Sequence, residues 1–279
     1  MATYKQIQQQ YQQKLIHLYD KYETNALLKI AISAKHPEFI SFHHQISPVL
    51  EEQLLTILNE LVTGRPIQHI IGKAYFYQLD FLVNEHVLIP RPETEELIYV
   101  IIKKYKHQYI SILDIGTGSG CIAVALKKNL PHATVGTIDI SKEALAIARE
   151  NAVFHKVEIE FKNDNALELS SEKYPKYDII VSNPPYIKLE EKAQMHRNVL
   201  DFEPHLALFV DNDQPLIFYD RIADFALTNL KTTGALYFEI NQYLAAETRD
   251  LLVGKGFKAQ VMMDINGNER FIVAGFDNL

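Results

Sequence analysis

Asn183-Pro184-Pro185-Tyr186 is the segment of this chain best equipped for chemistry. It follows the apolar run Tyr177-Asp178-Ile179-Ile180-Val181, which reads as a buried strand ending at the carboxyl edge of a sheet. A residue before proline is pushed out of the α region, so Asn183 projects into the crevice where open α/β sheets bind ligands. Pro184 and Pro185 have no backbone N–H, which leaves carbonyls as the main-chain polar groups there. The result is a rigid, acceptor-rich pocket with an aromatic wall, suited to a substrate bearing an NH2 group. The competing structural roles are an Asx-turn cap for Asn183, loop shaping for Pro185 and a wall position for Tyr186.

A second constellation is Asp114-Ile115-Gly116-Thr117-Gly118-Ser119-Gly120, at the junction of a strand with its helix. Glycines let the backbone turn tightly and approach a ligand. The spacing is G-x-G-x-G, not the dinucleotide fingerprint, and a glycine-rich loop alone is a weak signal. It gains force from Asp139, which ends the next strand about 20 residues on, where an acid accepts ribose hydroxyls. Asp164 and Asn165, after a third strand, can reach the edge of an adenine. Together these describe a nucleoside ligand across the strand ends, with no lysine-bearing P-loop for a triphosphate. Gly120 can instead serve helix packing, and Asp164 a turn or cap.

These groups need a scaffold, and the pattern of the chain supplies one. Up to about Gly64 the sequence reads as helical: Tyr4, Ile7, Tyr11, Leu15 and Leu18 form one stripe, and a second helix covers 25–35. Ser47 caps a third helix, with Pro48 at its first position, Leu50, Leu54, Leu58 and Leu61 along one side, and Gly64 past its end. From Ala74 to Leu88 the period switches to two, with Tyr75, Tyr77, Phe81 and Val83 suggesting a hairpin. Strands are expected at 109–114, 134–139, 157–162, 177–182, 234–240, 260–263 and 270–275, alternating with helices except for an antiparallel pair at the end. The division expected is a helical recognition domain over 1–72, a β-hairpin linker over 73–91 and a catalytic domain over 92–279.

Composition narrows the setting. The 279 residues are 47% hydrophobic and 23% charged, ordinary values for a globular protein. No apolar run approaches the roughly 20 residues that span a bilayer, and the amino terminus lacks signal or transit character. The single cysteine, Cys121, fits a reducing cytoplasm and reads as a small core residue on a helix. A net charge of −7 argues against tight, sequence-independent nucleic-acid binding. His43 and His44 are adjacent and point apart, so a metal role is not expected.

The glycine-rich loop combined with Asn-Pro-Pro-Tyr resembles class I S-adenosylmethionine-dependent methyltransferases that modify NH2 groups. Longer segments narrow the resemblance: Gly64-Arg65-Pro66-Ile67-Gln68-His69-Ile70-Ile71-Gly72, Leu88-Ile89-Pro90-Arg91-Pro92-Glu93-Thr94-Glu95, Phe202-Glu203-Pro204 and Gly267-Asn268-Glu269-Arg270. Together they are similar to the HemK/PrmC family of peptide chain release factor glutamine methyltransferases. Glu239-Ile240-Asn241 departs from that family's frequent Gly after Glu-Ile, a change expected to affect a loop only.

The resemblance implies a Rossmann-like α/β fold with a doubly wound seven-stranded sheet, its last strand antiparallel, beside the helical domain and hairpin. It implies S-adenosyl-L-methionine as cofactor, S-adenosyl-L-homocysteine as product, and no metal. Asp114, Gly116, Thr117, Gly118, Gly120, Asp139, Asp164, Asn165 and Asn183 would bind the cofactor. Asn183, Pro184, Pro185 and Tyr186 would bind substrate, with Asn183, Pro184 and Tyr186 catalytic. Tyr186 would pack on the substrate amide or near the sulfonium. Glu203 and Glu269 are read as ion-pair or loop-fixing residues. The implied substrate is the glutamine of the Gly-Gly-Gln motif of class I release factors, in the cytoplasm, with a monomeric enzyme and neither membrane nor stable nucleic acid as partner. The alternatives are a ribosomal-protein glutamine, an exocyclic amino group of RNA or DNA, or a non-catalytic docking protein.

Overall fold

The structure is a computed structural model and describes residues 2–36 and 45–277. His43 and His44 lie outside the described residues. The chain divides into two compact units, one of residues 1–73 with 195–202, the other of 74–194 with 203–279.

The first unit is helical. Helices α1 (Tyr4–Leu15), α2 (Lys21–Lys35), α3 (Pro48–Val62) and α4 (Ile67–Ile71) are joined by the later helix α8 (Arg197–Phe202). Thr3 and Asp20 close capping boxes at α1 and α2, and Ser47 caps α3 ahead of Pro48. Tyr4, Ile7, Tyr11 and Leu15 are buried, as the spacing requires, and pack with Leu28, Leu50, Leu54, Leu58 and Leu61. Leu18 does not continue the stripe: α1 stops at Leu15 and Leu18 is exposed. The second helix starts at Lys21, earlier than the apolar pattern suggests, because Asp20 supplies its cap. The return of α8 to this unit has no signal in the local sequence pattern.

The second unit is built on strands β3 (Ser111–Ile115), β4 (Thr134–Asp139), β5 (Glu160–Asn163), β6 (Tyr177–Ser182), β9 (Leu230–Glu239), β10 (Lys258–Met263) and β11 (Glu269–Gly275). They form one seven-stranded sheet in the order β10-β11-β9-β6-β3-β4-β5. β3, β4, β5, β6 and β9 are parallel, while the last strand, β11, runs antiparallel to both neighbours. Alternation along the central strands sends side chains to two cores. Ile112, Ile179 and Val181 pack with helices α5 (Pro92–Tyr105) and α6 (Cys121–Asn129) through Leu97, Ile98 and Ile122. Leu113, Ile115 and Ile180 face helices α9 (Ile217–Asn229) and α10 (Ala245–Gly254) through Tyr219, Ile222 and Leu252.

Two strand bounds depart from the periodicity. β9 begins at Leu230, where its pairing with β6 shifts register between Tyr177 and Ile179. Gly234 permits this close approach, since a Cβ there would meet Asp178 O at 2.9 Å. β5 is shorter than the apolar run suggests and pairs only with Gly136 to Asp139 of β4.

The hairpin strands are β1 (Lys73–Phe76) and β2 (Leu79–Leu82). They are joined through Tyr77 and Gln78, both at positive φ (46° and 61°), a two-residue turn. That turn fixes a register in which Ala74, Phe76 and Phe81 are buried, so Tyr75 is exposed and Tyr77 is a turn residue. Helix α7 (Lys142–His155) holds the hairpin in the second unit. The Asn151 amide donates to Leu82 O (2.9 Å) and Ser119 O (2.9 Å) and accepts from Leu82 N (2.7 Å), and His155 Nε2 bonds Asp80 O (2.7 Å).

Asn151 is fully buried, so its removal strands three main-chain groups at once. Asn151→Ala is expected to lower stability by about 2–4 kcal/mol, read as a lower midpoint in urea. An unchanged midpoint would show the clamp to be dispensable.

Candidate active site

The strand order reverses at β3: the chain leaves it toward β4 and β5, then returns to β6 on its other side. Such a switch point opens a crevice at the carboxyl ends of the two strands. The register places Ile115 beside Ser182 and Ser182 beside Phe238. The glycine-rich loop, the Asn-Pro-Pro-Tyr segment and Glu239 therefore leave the sheet from neighbouring positions.

The glycine-rich loop is tied from below. Gly116 N and Thr117 N donate to Ile138 O, and Thr117 Oγ1 donates to Asp114 Oδ2 at 2.7 Å. Gly116 and Gly118 adopt positive φ (79° and 53°), and the space where a Cβ would stand is open at both. Gly120 differs: a Cβ there would lie 3.0 Å from Ala148 Cβ, so it serves the packing of α6 on α7. Asp114 is fully buried and burial pushes its carboxyl up to about 7, against Thr117, which lowers it. Its Oδ1 has no hydrogen-bond partner among the described residues.

Asp139 accepts from Gly118 N (2.8 Å) and Ser141 N (2.9 Å), coupling β4 to that loop. Burial raises its pKa, against those two amides. Asp164 accepts from Tyr174 Oη (2.9 Å) and Asn165 N (2.9 Å), and Asn165 Oδ1 accepts from Leu167 N. All three residues nonetheless line one cavity of about 300 Å3, together with Gly116, Gly118, Asn183, Pro184 and Pro185. Asp114, Thr117 and Gly120 lie outside its lining and shape the loop.

Asn183 Nδ2 donates to Thr94 Oγ1 at 3.3 Å, and Thr94 Oγ1 donates to Glu239 Oε2 at 2.6 Å. Tyr186 is also outside the cavity lining. Its ring packs on the second core and its hydroxyl donates to Glu239 Oε1 at 3.3 Å. That engagement matches the wall position. Burial pushes the Tyr186 hydroxyl well up, helped by the neighbouring Glu239 charge. Asn241, the departure noted above, donates to Tyr186 O (3.2 Å), so it fixes the carboxyl side of the segment.

The remaining wall comes from residues that motif reading treated as structure. Glu85 to Leu88 and Pro204, Leu206 and Ala207 complete the cavity. Glu203, almost wholly buried, accepts from Arg91 Nη2 (2.7 Å) and Ile89 N (3.1 Å), which draws these two stretches together. The signal was present as Leu88-Ile89-Pro90-Arg91 and Phe202-Glu203-Pro204. Glu269 starts β11 and is exposed, away from the cavity lining. Among the described residues no cluster of three or more His, Cys, Asp or Glu could hold a metal ion, and no helix is long and apolar enough to cross a membrane.

Known proteins resemble this chain in both sequence and fold. The family described as Methyltransferase small domain matches residues 94–202. Among solved structures, a methyltransferase from Pyrococcus furiosus superposes with a TM-score of 0.54 at 14% identity, covering 82% of this chain and 99% of that one. The hMettl16 catalytic domain, solved with a MAT2A 3'UTR hairpin, gives a TM-score of 0.58 at 17% identity over 88% of this chain and 92% of its own. At such identity these establish the methyltransferase fold alone. Sequence relatives are far nearer. The release factor glutamine methyltransferase of Flavobacterium psychrophilum is 46% identical over 96% of this chain and 97% of its own. That of Bacteroides thetaiotaomicron is 44% identical over 82% of each. With a fold, a strand-end cavity and full-length relatives in agreement, the chain belongs to the release factor glutamine methyltransferase family.

Proposed function

We infer that this enzyme transfers a methyl group to the side-chain amide nitrogen of the glutamine in the Gly-Gly-Gln motif of class I release factors, in the cytoplasm. The observation that carries the reading is Asn183, directly after β6, which lines the cavity while its amide nitrogen is engaged by Thr94; the oxygen is the acceptor we assign to the substrate. Family membership supports S-adenosylmethionine as methyl source, and the residues present suit it. The open positions at Gly116 and Gly118 leave room for a ligand against the main chain, and Asp139 is a hydroxyl acceptor on the same cavity. Asp164 and Asn165 flank it for a base, while Asp114, Thr117 and Gly120 keep the loop in shape. When bound, S-adenosylmethionine supplies an electrophilic methyl on a sulfonium.

An amide nitrogen is a poor nucleophile because its lone pair is delocalised into the carbonyl, so orientation and charge must do what a base cannot. Asn183 Oδ1 and the Pro184 carbonyl accept the two N–H groups of the substrate amide and hold it in the cavity. Pro184 and Pro185 offer no N–H that could compete for those acceptors. As the nitrogen gains positive charge, both hydrogen bonds strengthen, which stabilises the transition state more than the ground state. Positioning contributes up to about 7–11 kcal/mol for well-aligned groups. The proton then leaves to water. Tyr186 supports the loop from behind. The helical unit is assigned to recognition of the folded factor, and the working species to a monomer without a metal.

Three measurements test this. Purified protein, S-adenosylmethionine and a class I release factor are incubated and the factor's peptides mapped by mass spectrometry. One methyl on the Gly-Gly-Gln glutamine is expected, with Asn183→Ala reducing it by at least about 100-fold. Transfer to RNA or a ribosomal protein instead would overturn the substrate. Asp139→Ala should weaken S-adenosylmethionine binding about 10–100-fold by calorimetry, since a charged acceptor is worth roughly 1.5–3 kcal/mol; full affinity would remove Asp139 from the site.

The third is a pH series without cofactor. Asp114 has an ordinary value near 3.8 and a folded value of about 7, so the folded state keeps a proton across that interval. Its stabilising contribution is complete below pH 3.8 and declines as pH rises toward 7. Relative to Asp114→Asn, which does not titrate, the wild type should lose stability from about pH 4 to 7 and then level off. A flat difference across that window would mean that Asp114 is ionised in the fold.

A further inference from the structure

The two ends of an asparagine amide are nearly equal in size but opposite in hydrogen bonding. A site that needs the oxygen must therefore forbid the flipped arrangement. The groups around Asn183 supply that constraint. Thr94, at the start of α5, and Glu239, at the end of β9, are each only 2% exposed and are separated by 145 residues in sequence. Strand register brings Glu239 level with Asn183, since Phe238 sits beside Ser182 and Glu239 and Asn183 follow them in the chain.

We propose that Thr94 and Glu239 are positioning residues for the methyl transfer, locking the Asn183 side-chain amide with its oxygen toward the substrate. The inference rests on the function proposed above. Its logic is donor counting. A carboxylate accepts and cannot donate, and Glu239 receives hydroxyls on both oxygens, from Thr94 on Oε2 and Tyr186 on Oε1. The one hydroxyl proton of Thr94 is thereby committed, leaving only lone pairs toward Asn183. Only Nδ2 of Asn183 can answer them, as observed at 3.3 Å. A neutral Glu239 could donate instead, Thr94 could turn its proton toward Asn183, and the wrong end of the amide would face the cavity.

The accepting role of Glu239 rests on its geometry, with one hydroxyl on each carboxyl oxygen. Burial raises its pKa overall and the Glu93 charge adds to this, while the Thr94 hydroxyl, the Arg270 guanidinium and the Tyr186 hydroxyl partly offset the rise. Tyr219 Oη bonds the Glu239 main-chain oxygen (3.2 Å), fixing the strand end itself. Arg270 is in turn oriented by Asp264 (3.4 Å) and Gln242 (3.4 Å). Three separate sequence motifs, Pro-Arg-Pro-Glu-Thr-Glu, Asn-Pro-Pro-Tyr and Gly-Asn-Glu-Arg, thus converge on one buried carboxylate.

The test compares Thr94→Val, Thr94→Ser, Glu239→Gln and Asn183→Ala in the full chain, with S-adenosylmethionine and a class I release factor. Thr94→Val keeps the shape and removes the hydroxyl. It should lower kcat about 10–100-fold, while KM for the factor and Kd for S-adenosylmethionine stay within about two-fold. Thr94→Ser restores the hydroxyl and should return kcat to within a few-fold of wild type. Glu239→Gln, whose amide can donate as well as accept, should fall between Thr94→Val and wild type. The lock is overturned if Thr94→Val keeps full kcat, or if Thr94→Ser is as impaired as Thr94→Val, which marks a packing role. Should Thr94→Val fail to fold, Thr94→Ser and Glu239→Gln decide: wild-type kcat in Glu239→Gln overturns the lock, and a reduced kcat with unchanged Kd supports it. An active Asn183→Ala would instead sink the function proposed above, whatever Thr94 does.

Discussion

The parallel pairing of β6 between β3 and β9 is the constraint on which the site depends. It brings Ile115, Ser182 and Phe238 level, so that three loops with different chemistry emerge side by side. The glycine loop contributes space, the Asn-Pro-Pro-Tyr segment contributes acceptors, and Glu239 contributes a buried carboxyl group that gathers hydroxyls behind them. A slip of one residue in either pairing would send Asn183 to the opposite face of the sheet. The central strands are insulated against such a slip by being buried on both faces, with cores that accept alternate residues.

Around this axis the supports divide into main-chain ties and buried side-chain bridges. Asp139 and Asn151 bind backbone amides or carbonyls of the glycine loop and hairpin. Arg91 and Glu203 join two stretches of wall more than a hundred residues apart in sequence. Isolated buried ion pairs are weak stabilisers because desolvation offsets their attraction. Here the pair also satisfies a main-chain amide at Ile89, and its value lies in closing the cavity.

Much of the architecture was legible in the sequence. The apolar run at β6 carries its own bounds, and caps such as Ser47-Pro48 mark helix starts by local chemistry. Asn183 and the glycine loop were legible because proline and glycine restrict or free the backbone wherever they occur. What escaped depends on register or on distant partners. The period-two pattern of Tyr75, Tyr77, Phe81 and Val83 pointed to a hairpin, but which face is buried was decided by the two-residue turn at Tyr77 and Gln78. For Tyr186 a ligand-facing role and a wall position were both open, and its hydroxyl bond to Glu239, on a strand over fifty residues later, had no local signal. Thr94 stood inside a segment that carries the family resemblance, but nothing local marked its hydroxyl as a partner of Asn183 and Glu239.

The return of Met195–Phe202 to the amino-terminal helices has a consequence for biogenesis. The first unit is synthesised first, but one of its helices is encoded more than a hundred residues after the others. It can be completed only after β3, β4, β5 and β6 have already emerged from the ribosome. Closing so long a loop carries an entropic cost that grows slowly with length, and contacts of this separation slow folding more than they weaken the finished structure. The chain passes between the units three times, so no single cut in the sequence separates them. An amino-terminal fragment ending near Lys73 would leave α8 behind, and the two units are therefore coupled through the order of synthesis itself.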